Sequence, residues 1–218
     1  MQSVGNLAKI IYTLILLSVI YAAASANISY PNAFRTYPSR GSSINPTIVE
    51  AICAIMAAPS HFSPIKIGPP LRQQNFVGGA LGANNPTRLL LNEACNVFGK
   101  DQRVAQIISI ASGSAKALSL DTVSTESGVT RLLTEMAADC EMVAQELSVR
   151  LFNVDAYLRL KVETGMDNIH VDNWLELGDI EAHTRIYFEN AAVSDAIDTS
   201  LRRLQEKVGS ITLGQISA

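Results

Sequence analysis

Acidic residues are nearly missing from the first part of this chain. The first is Glu50 and the next is Glu93, so residues 51–92 contain no Asp and no Glu. That excludes any carboxylate-based proton transfer carried by that stretch. Cysteine is scarce as well: Cys53, Cys95 and Cys140 are far apart and odd in number. No Cys-x-x-Cys pair occurs and the 3 histidines show no paired spacing, which excludes a standard zinc site. No metal and no other cofactor is expected. The cysteines are expected as buried thiols, acting as small hydrophobes. Lys and Arg never form a run, so nucleic acid is not an expected partner. No apolar run reaches the roughly 20 residues that a comfortable transmembrane helix needs.

What is there suits a packed core. The chain has 218 residues, 48% hydrophobic and 17% charged, which is a globular and not a disordered composition. Its net charge of −3 is unevenly spread. Residues 1–92 hold six bases (Lys9, Arg35, Arg40, Lys66, Arg72, Arg88) against Glu50 alone, and the acids concentrate beyond them.

Asn45-Pro46 reads as a helix start, because asparagine caps and proline loses nothing at the first helical position. Ile48, Ile52 and Ile55 form the expected inward stripe, and Pro59 closes the segment. Residues 63–75 read as irregular loop, punctuated by Pro64, Gly68, Pro69 and Pro70. Phe76 and Val77 would end a short strand. Asn85-Pro86 would open a second helix with Leu89, Leu90, Ala94 and Val97 inward and Gly99 as its stop. Val104 to Ile110 reads as a strong strand ending at Ala111-Ser112-Gly113-Ser114. A long amphipathic helix is expected from Gly128 to Arg150, with Val129, Leu132, Leu133, Met136, Cys140, Val143 and Leu147 on one side. Tyr157 to Val162 alternates as a half-buried strand, and helices fit Asn173 to Asn190 and Asp195 to Val208. Strands alternating with helices argue an α/β class.

The segment Phe76-Val77-Gly78-Gly79-Ala80-Leu81-Gly82-Ala83-Asn84-Asn85-Pro86 closely resembles the Asp-Gly-Gly or Asp-Gly-Ala loop of patatin-like phospholipases. Phe34-Arg35-Thr36-Tyr37, Arg40-Gly41-Ser42-Ser43, Ala57-Ala58-Pro59-Ser60-His61-Phe62, Pro64-Ile65-Lys66-Ile67-Gly68-Pro69, Ile107-Ile108-Ser109-Ile110 and Glu176-Leu177-Gly178 look like the fungal branch of that family. The resemblance spans roughly residues 20 to 190 and corresponds to the C-terminal part of a patatin domain. It implies an α/β fold, a partial three-layer α/β/α sandwich with a mainly parallel sheet. Residues 1–19 would be an apolar extension, 20–190 the truncated domain, and 191–218 an amphipathic helix and tail.

The resemblance also implies a lipid acyl hydrolase lineage working through a serine-aspartate dyad. This chain departs from that pattern twice. Gly78 stands where the family has its catalytic Asp, and no Gly-x-Ser-x-Gly elbow occurs; Gly41-Ser42-Ser43 and Ser112-Gly113-Ser114 lack the spacing. A serine hydroxyl needs a neighbouring base and oxyanion donors. The expectation is therefore an inactive member of that lineage, a non-catalytic remnant without catalytic residues. The alternative is an acyl-ester hydrolase active only when completed by a missing N-terminal half. Expected partners are a lipid or membrane surface, and a second copy through an exposed sheet edge.

Other candidates are weaker. His61 is the one further base in its region that titrates near neutral pH, and it reads as a surface or structural residue. Gly78-Gly79-Ala80-Leu81-Gly82 lacks the spacing and lysine of a phosphate loop, and reads as a tight strand-to-helix turn. Asp167, His170 and Asp172 match no metal motif and read as loop and cap residues. The N-terminus admits three readings. Lys9, the apolar Ile10 to Ile20 and Ala22 to Ala26 have the order of a secretory signal. The run could anchor in a membrane. Ile20 to Ala26 also resembles a buried strand of the family, which would keep residues 1–26 attached and intracellular. Signal cleavage after Ala26 would delete that strand.

Overall fold

The computed structural model describes residues 17–39, 44–59, 61–113, 126–166, 169, 174–206 and 209–217. Helices and strands are mixed, and the chain divides into two compact units, Met1–Asn84 and Asn85–Ala218.

The first unit is built on a four-stranded sheet ordered β2-β1-β4-β3, from β1 (Val19–Ala24), β2 (Asn27–Arg35), β3 (Ile65–Ile67) and β4 (Gln74–Gly78). Every pairing in it is antiparallel, so the mainly parallel sheet expected from the sequence is not what these strands form. The cause is connection length. Only Ser25 and Ala26 separate β1 from β2, and parallel strands need a crossover of a dozen residues or more. The strand expected at Ile20 to Ala26 is present, starting at Val19 and ending at Ala24, and it lies inside the sheet with Ala22 and Ala23 fully buried. The sheet edges are β2, which carries Pro31, and the three-residue β3. β3 and the first residues of β4 occupy the stretch expected as irregular loop.

Helix α1 (Ile48–Met56) is capped by Thr47 and not by Asn45. Thr47 Oγ1 accepts from the Glu50 amide at 3.2 Å, and Glu50 Oε2 accepts from the Thr47 amide at 2.7 Å. This is a capping box, which satisfies donors that the helix start leaves open. The helix turns Ala51 and Ala54 onto Ala22, Phe34, Ile67 and Phe76. Phe34 and Phe76 meet edge to face with centroids 5.2 Å apart. The expected inward stripe is inverted: Ile48 is 77% exposed, and Val49, Ile52, Ile55 and Met56 are exposed too. Small residues inward let the helix backbone approach the sheet. Cys53, expected buried, is exposed on the same outer side.

The second unit holds two short pairs. β5 (Arg103–Val104) runs antiparallel to β8 (Ile211–Thr212), and β6 (Ile107–Ala111) runs parallel to β7 (Tyr157–Lys161). The single strand expected over 104–110 is thus two strands with different partners. After the short α2 (Ala80–Ala83) of the first unit come α3 (Thr87–Phe98), α4 (Glu126–Ala137), α5 (Glu141–Leu151), α6 (Leu177–Glu189), α7 (Ala191–Glu206) and α8 (Leu213–Ser217). The long helix expected over 128–150 is interrupted between α4 and α5. Asp139 Oδ1 accepts from the Glu141 amide at 2.8 Å, and an aspartate that takes a backbone donor in this way starts a new helix. In α3 the buried face is Thr87, Leu91 and Glu93, while Leu90 and Val97 are exposed. The expected stop holds: Gly99 ends the helix at φ 87°. The core gathers Leu91, Ile107, Leu147, Leu151, Leu213 and Ile216. Leu213 and Ile216, in the segment expected as a tail, are therefore core residues, each contributing about 1.5–3 kcal/mol by burial. Among the described residues no helix is long and apolar enough to cross a membrane.

Candidate functional site

The loop that resembles a catalytic carboxylate loop follows β4. Gly78 is buried, and its amide donates to the Ala57 carbonyl at 2.9 Å. A Cβ placed on Gly78 would stand 2.8 Å from the Ile55 carbonyl oxygen, and one on Gly79 would stand 2.6 Å from that of Tyr21. Both obstacles are backbone. Neither glycine has a left-handed backbone; in this loop only Gly82 does, at φ 92°. The two glycines are therefore required by close approach of chain segments, and not by the tight turn expected from the sequence. The position carries no reactive group and has no space for one.

Among the described residues of the first unit nothing replaces it. The one carboxylate of residues 1–84 is Glu50, and it is committed to the α1 cap, where hydrogen bonds from Thr47 lower its pKa. His61 is exposed, with Nδ1 3.3 Å from the Pro59 carbonyl of its own turn. Gly41, Ser42, Ser43, Ser114, Asp167, His170 and Asp172 lie outside the described residues.

The second unit contains a buried polar network that the sequence reading missed. Ser109 on β6 and Arg159 on β7 are cross-strand neighbours, and Lys161 lies two residues further along. Arg159 Nη1 donates to Ser109 Oγ at 2.7 Å, and Lys161 Nζ donates to Glu141 Oε2 at 2.8 Å. Thr87 Oγ1 donates to Asn85 Oδ1 at 2.6 Å and lies 3.3 Å from Ser109 Oγ. Asn85 Nδ2 donates to the Cys140 carbonyl at 3.0 Å, tying the start of α3 to that of α5. Pro86 and not Asn85 holds the cap position of α3, although Asn85 Oδ1 accepts from the Thr87 amide at 3.2 Å. A sequence signal existed. The alternation of Ile107, Ser109 and Ala111 places a serine on the buried side, with Ile108 and Ile110 exposed.

Proton bookkeeping decides what this network can do. The Thr87 proton is committed to Asn85, so the Ser109 hydroxyl must donate to Thr87 while accepting from Arg159. A guanidinium cannot take a proton. Among the described residues Ser109 consequently has no base, and the arrangement does not activate it. The Glu141 carboxyl is held below its ordinary value, first by the Lys161 hydrogen bond and against the effect of burial. Burial, then the hydrogen bond to Glu141 and its charge, push the Cys140 thiol up, so it is a poor thiolate source. Cys95 and Cys140 are half-buried, short of the full burial expected. Among the described residues no cluster of His, Cys, Asp and Glu could hold a metal ion. No family model and no curated protein matches this chain.

Proposed function

We propose that this chain is a non-catalytic, patatin-like remnant of a lipid acyl hydrolase. One observation carries the reading: the Ile55 carbonyl occupies the space that any side chain at Gly78 would enter. In a working member of that lineage the position must hold a carboxylate. Here the helix has closed onto it. The base-free Ser109 supports the same conclusion from the second unit. The reading assigns the chain to a three-layer α/β/α sandwich; burial of Ala22 on one face of β1 and Ala23 on the other supports layering. A mainly parallel sheet would need partners beyond those described, since only β6 and β7 pair in parallel. The apolar outer side of α1 supports the expected lipid or self-association partners. The test is turnover of short-chain acyl esters and of phospholipid, together with labelling by a serine-reactive fluorophosphonate. No turnover and no labelling are expected. Stoichiometric labelling would overturn the proposal, because it reports an activated serine.

A further inference from the structure

Helix α1 sits on its sheet by Ala51 and Ala54, which leaves most of its circumference facing outward. At 3.6 residues per turn, Ile55, Ile48, Ile52, Met56, Val49 and Cys53 follow one another around about 160° of the helix. All six are exposed, Val49 by 70% and Met56 by 55%. No charged residue and no hydroxyl or amide side chain falls within that arc. Glu50, the one acid of the helix, lies outside it and is held in the Thr47 cap.

Area and charge decide what covers the arc. A second copy packed α1 against α1 would cover about 300 Å² on each side, taking roughly 100 Å² for a whole aliphatic side chain. A stable protein interface takes about 800 Å² per partner. The helix has 9 residues, under two heptads and too short for a coiled-coil seam. Such a seam would also wet only part of the arc, whereas fluid acyl chains conform to all of it and require no hydrogen bond. The first unit carries five bases (Lys9, Arg35, Arg40, Lys66, Arg72) against Glu50, a net +4, which leaves −7 for the second unit within the whole-chain −3. Two α1 faces brought together would set like charge against like, while an anionic bilayer attracts this unit and repels the other. The attraction acts from off the face: Lys66 alternates with Ile65 and Ile67, which pack toward the helix. Charge therefore orients the unit, and the arc holds it. We propose that the outer face of α1 docks on the surface of an anionic phospholipid bilayer, its side chains at the boundary of headgroups and acyl chains. This rests on the lipid side of the reading above, and not on the loss of chemistry.

The test is co-sedimentation of the full chain with phosphatidylcholine vesicles, with and without phosphatidylglycerol. Saturable binding is expected, several-fold tighter with phosphatidylglycerol and only partly lost in high salt. An environment-sensitive fluorophore on Cys53, inside the arc, should shift to the blue on the vesicles. Val49→Gln, Ile52→Gln and Met56→Gln together should weaken binding at least tenfold. That variant should melt no lower than the parent, because the three positions are exposed and glutamine forms helix at least as well. Met142→Gln with Val149→Gln, at exposed apolar positions of α5, is the control and should bind as the parent does. The docking is overturned by absence of vesicle binding, by equal loss or equal retention in the triple variant and the control, or by a Cys53 probe that stays in water while the chain binds. A dimer that the triple variant abolishes, with vesicles ignored, would overturn it in favour of a second copy. Fatty acid released from the vesicles would instead overturn the non-catalytic reading and leave the docking standing.

Discussion

Substituting Gly78 by Asp places a carboxylate in the loop after β4, and the structure sets the cost. The new Cβ would stand 2.8 Å from the Ile55 oxygen, against ordinary contact from 3.4 Å, and would also meet the Ala57 carbonyl at 3.7 Å. Backbone cannot rotate away as a side chain can, so α1 or β4 must shift. Overpacking of this kind costs about 1–3 kcal/mol, and Gly78→Ala should lose about that much, reduced slightly by the stiffer unfolded chain. Asp adds a buried carboxyl facing carbonyl oxygens that accept and cannot donate. That adds several kcal/mol, tempered by protonation, for a total of about 4 kcal/mol or more. Domain stabilities are about 5–15 kcal/mol, so the first unit should be largely undone. Urea unfolding followed by far-UV circular dichroism, with hydrogen exchange at Gly78 and Ala22, reads this directly. Fluorescence alone would miss it, because the single tryptophan, Trp174, belongs to the second unit. Gly178→Ala serves as control: its Cβ meets nothing within 4 Å, and helix propensity predicts no loss or a gain of up to about 1 kcal/mol. A Gly78→Asp chain with the parent's urea midpoint and exchange protection would refute the close packing.

Two further outcomes concern the second unit and the thiols. Cys53 should react first with a disulfide-exchange reagent, because it is exposed, and Cys140 last, because burial and Glu141 raise its pKa; equal rates would contradict this, and Glu141→Gln should speed Cys140. Glu141 has a depressed folded pKa, chiefly from Lys161, so its contribution is complete above the unfolded value of about 4.3 and is lost as pH falls through the folded value. Acid should therefore destabilise the parent more steeply than Glu141→Gln below about pH 4.3, and matching pH profiles would count against the ion pair.

Much of the element order was legible, and the misses have particular causes. β1, β4, β7 and the Gly99 stop follow from apolar runs, alternation and a helix-ending glycine, which are local signals. The inverted face of α1 was not readable, because a helix apolar nearly all round has two candidate inner sides, and only packing selects Ala51 and Ala54. Its capping box was readable in Thr47-Ile48-Val49-Glu50 but lost to the more conspicuous Asn45-Pro46. Strand direction depends on partners distant in sequence, so the antiparallel sheet could be inferred only from the short link at Ser25-Ala26. At the candidate site, the lack of any acid over residues 51–92 was plain in the sequence. The Ile55 carbonyl above Gly78 was not, because backbone proximity leaves no residue type to read.

The seat of α1 on the sheet also constrains how this chain can vary. Ala51, Ala54 and Gly78 are small at one contact, so a larger residue at any of them requires the helix to lift. Lifting it breaks the bond from the Gly78 amide to Ala57 and loosens the other two. Substitutions there are coupled and not additive. A library that varies position 78 alone should yield almost nothing but glycine. Larger side chains should appear there only alongside changes that reseat α1, so the three positions vary together or not at all.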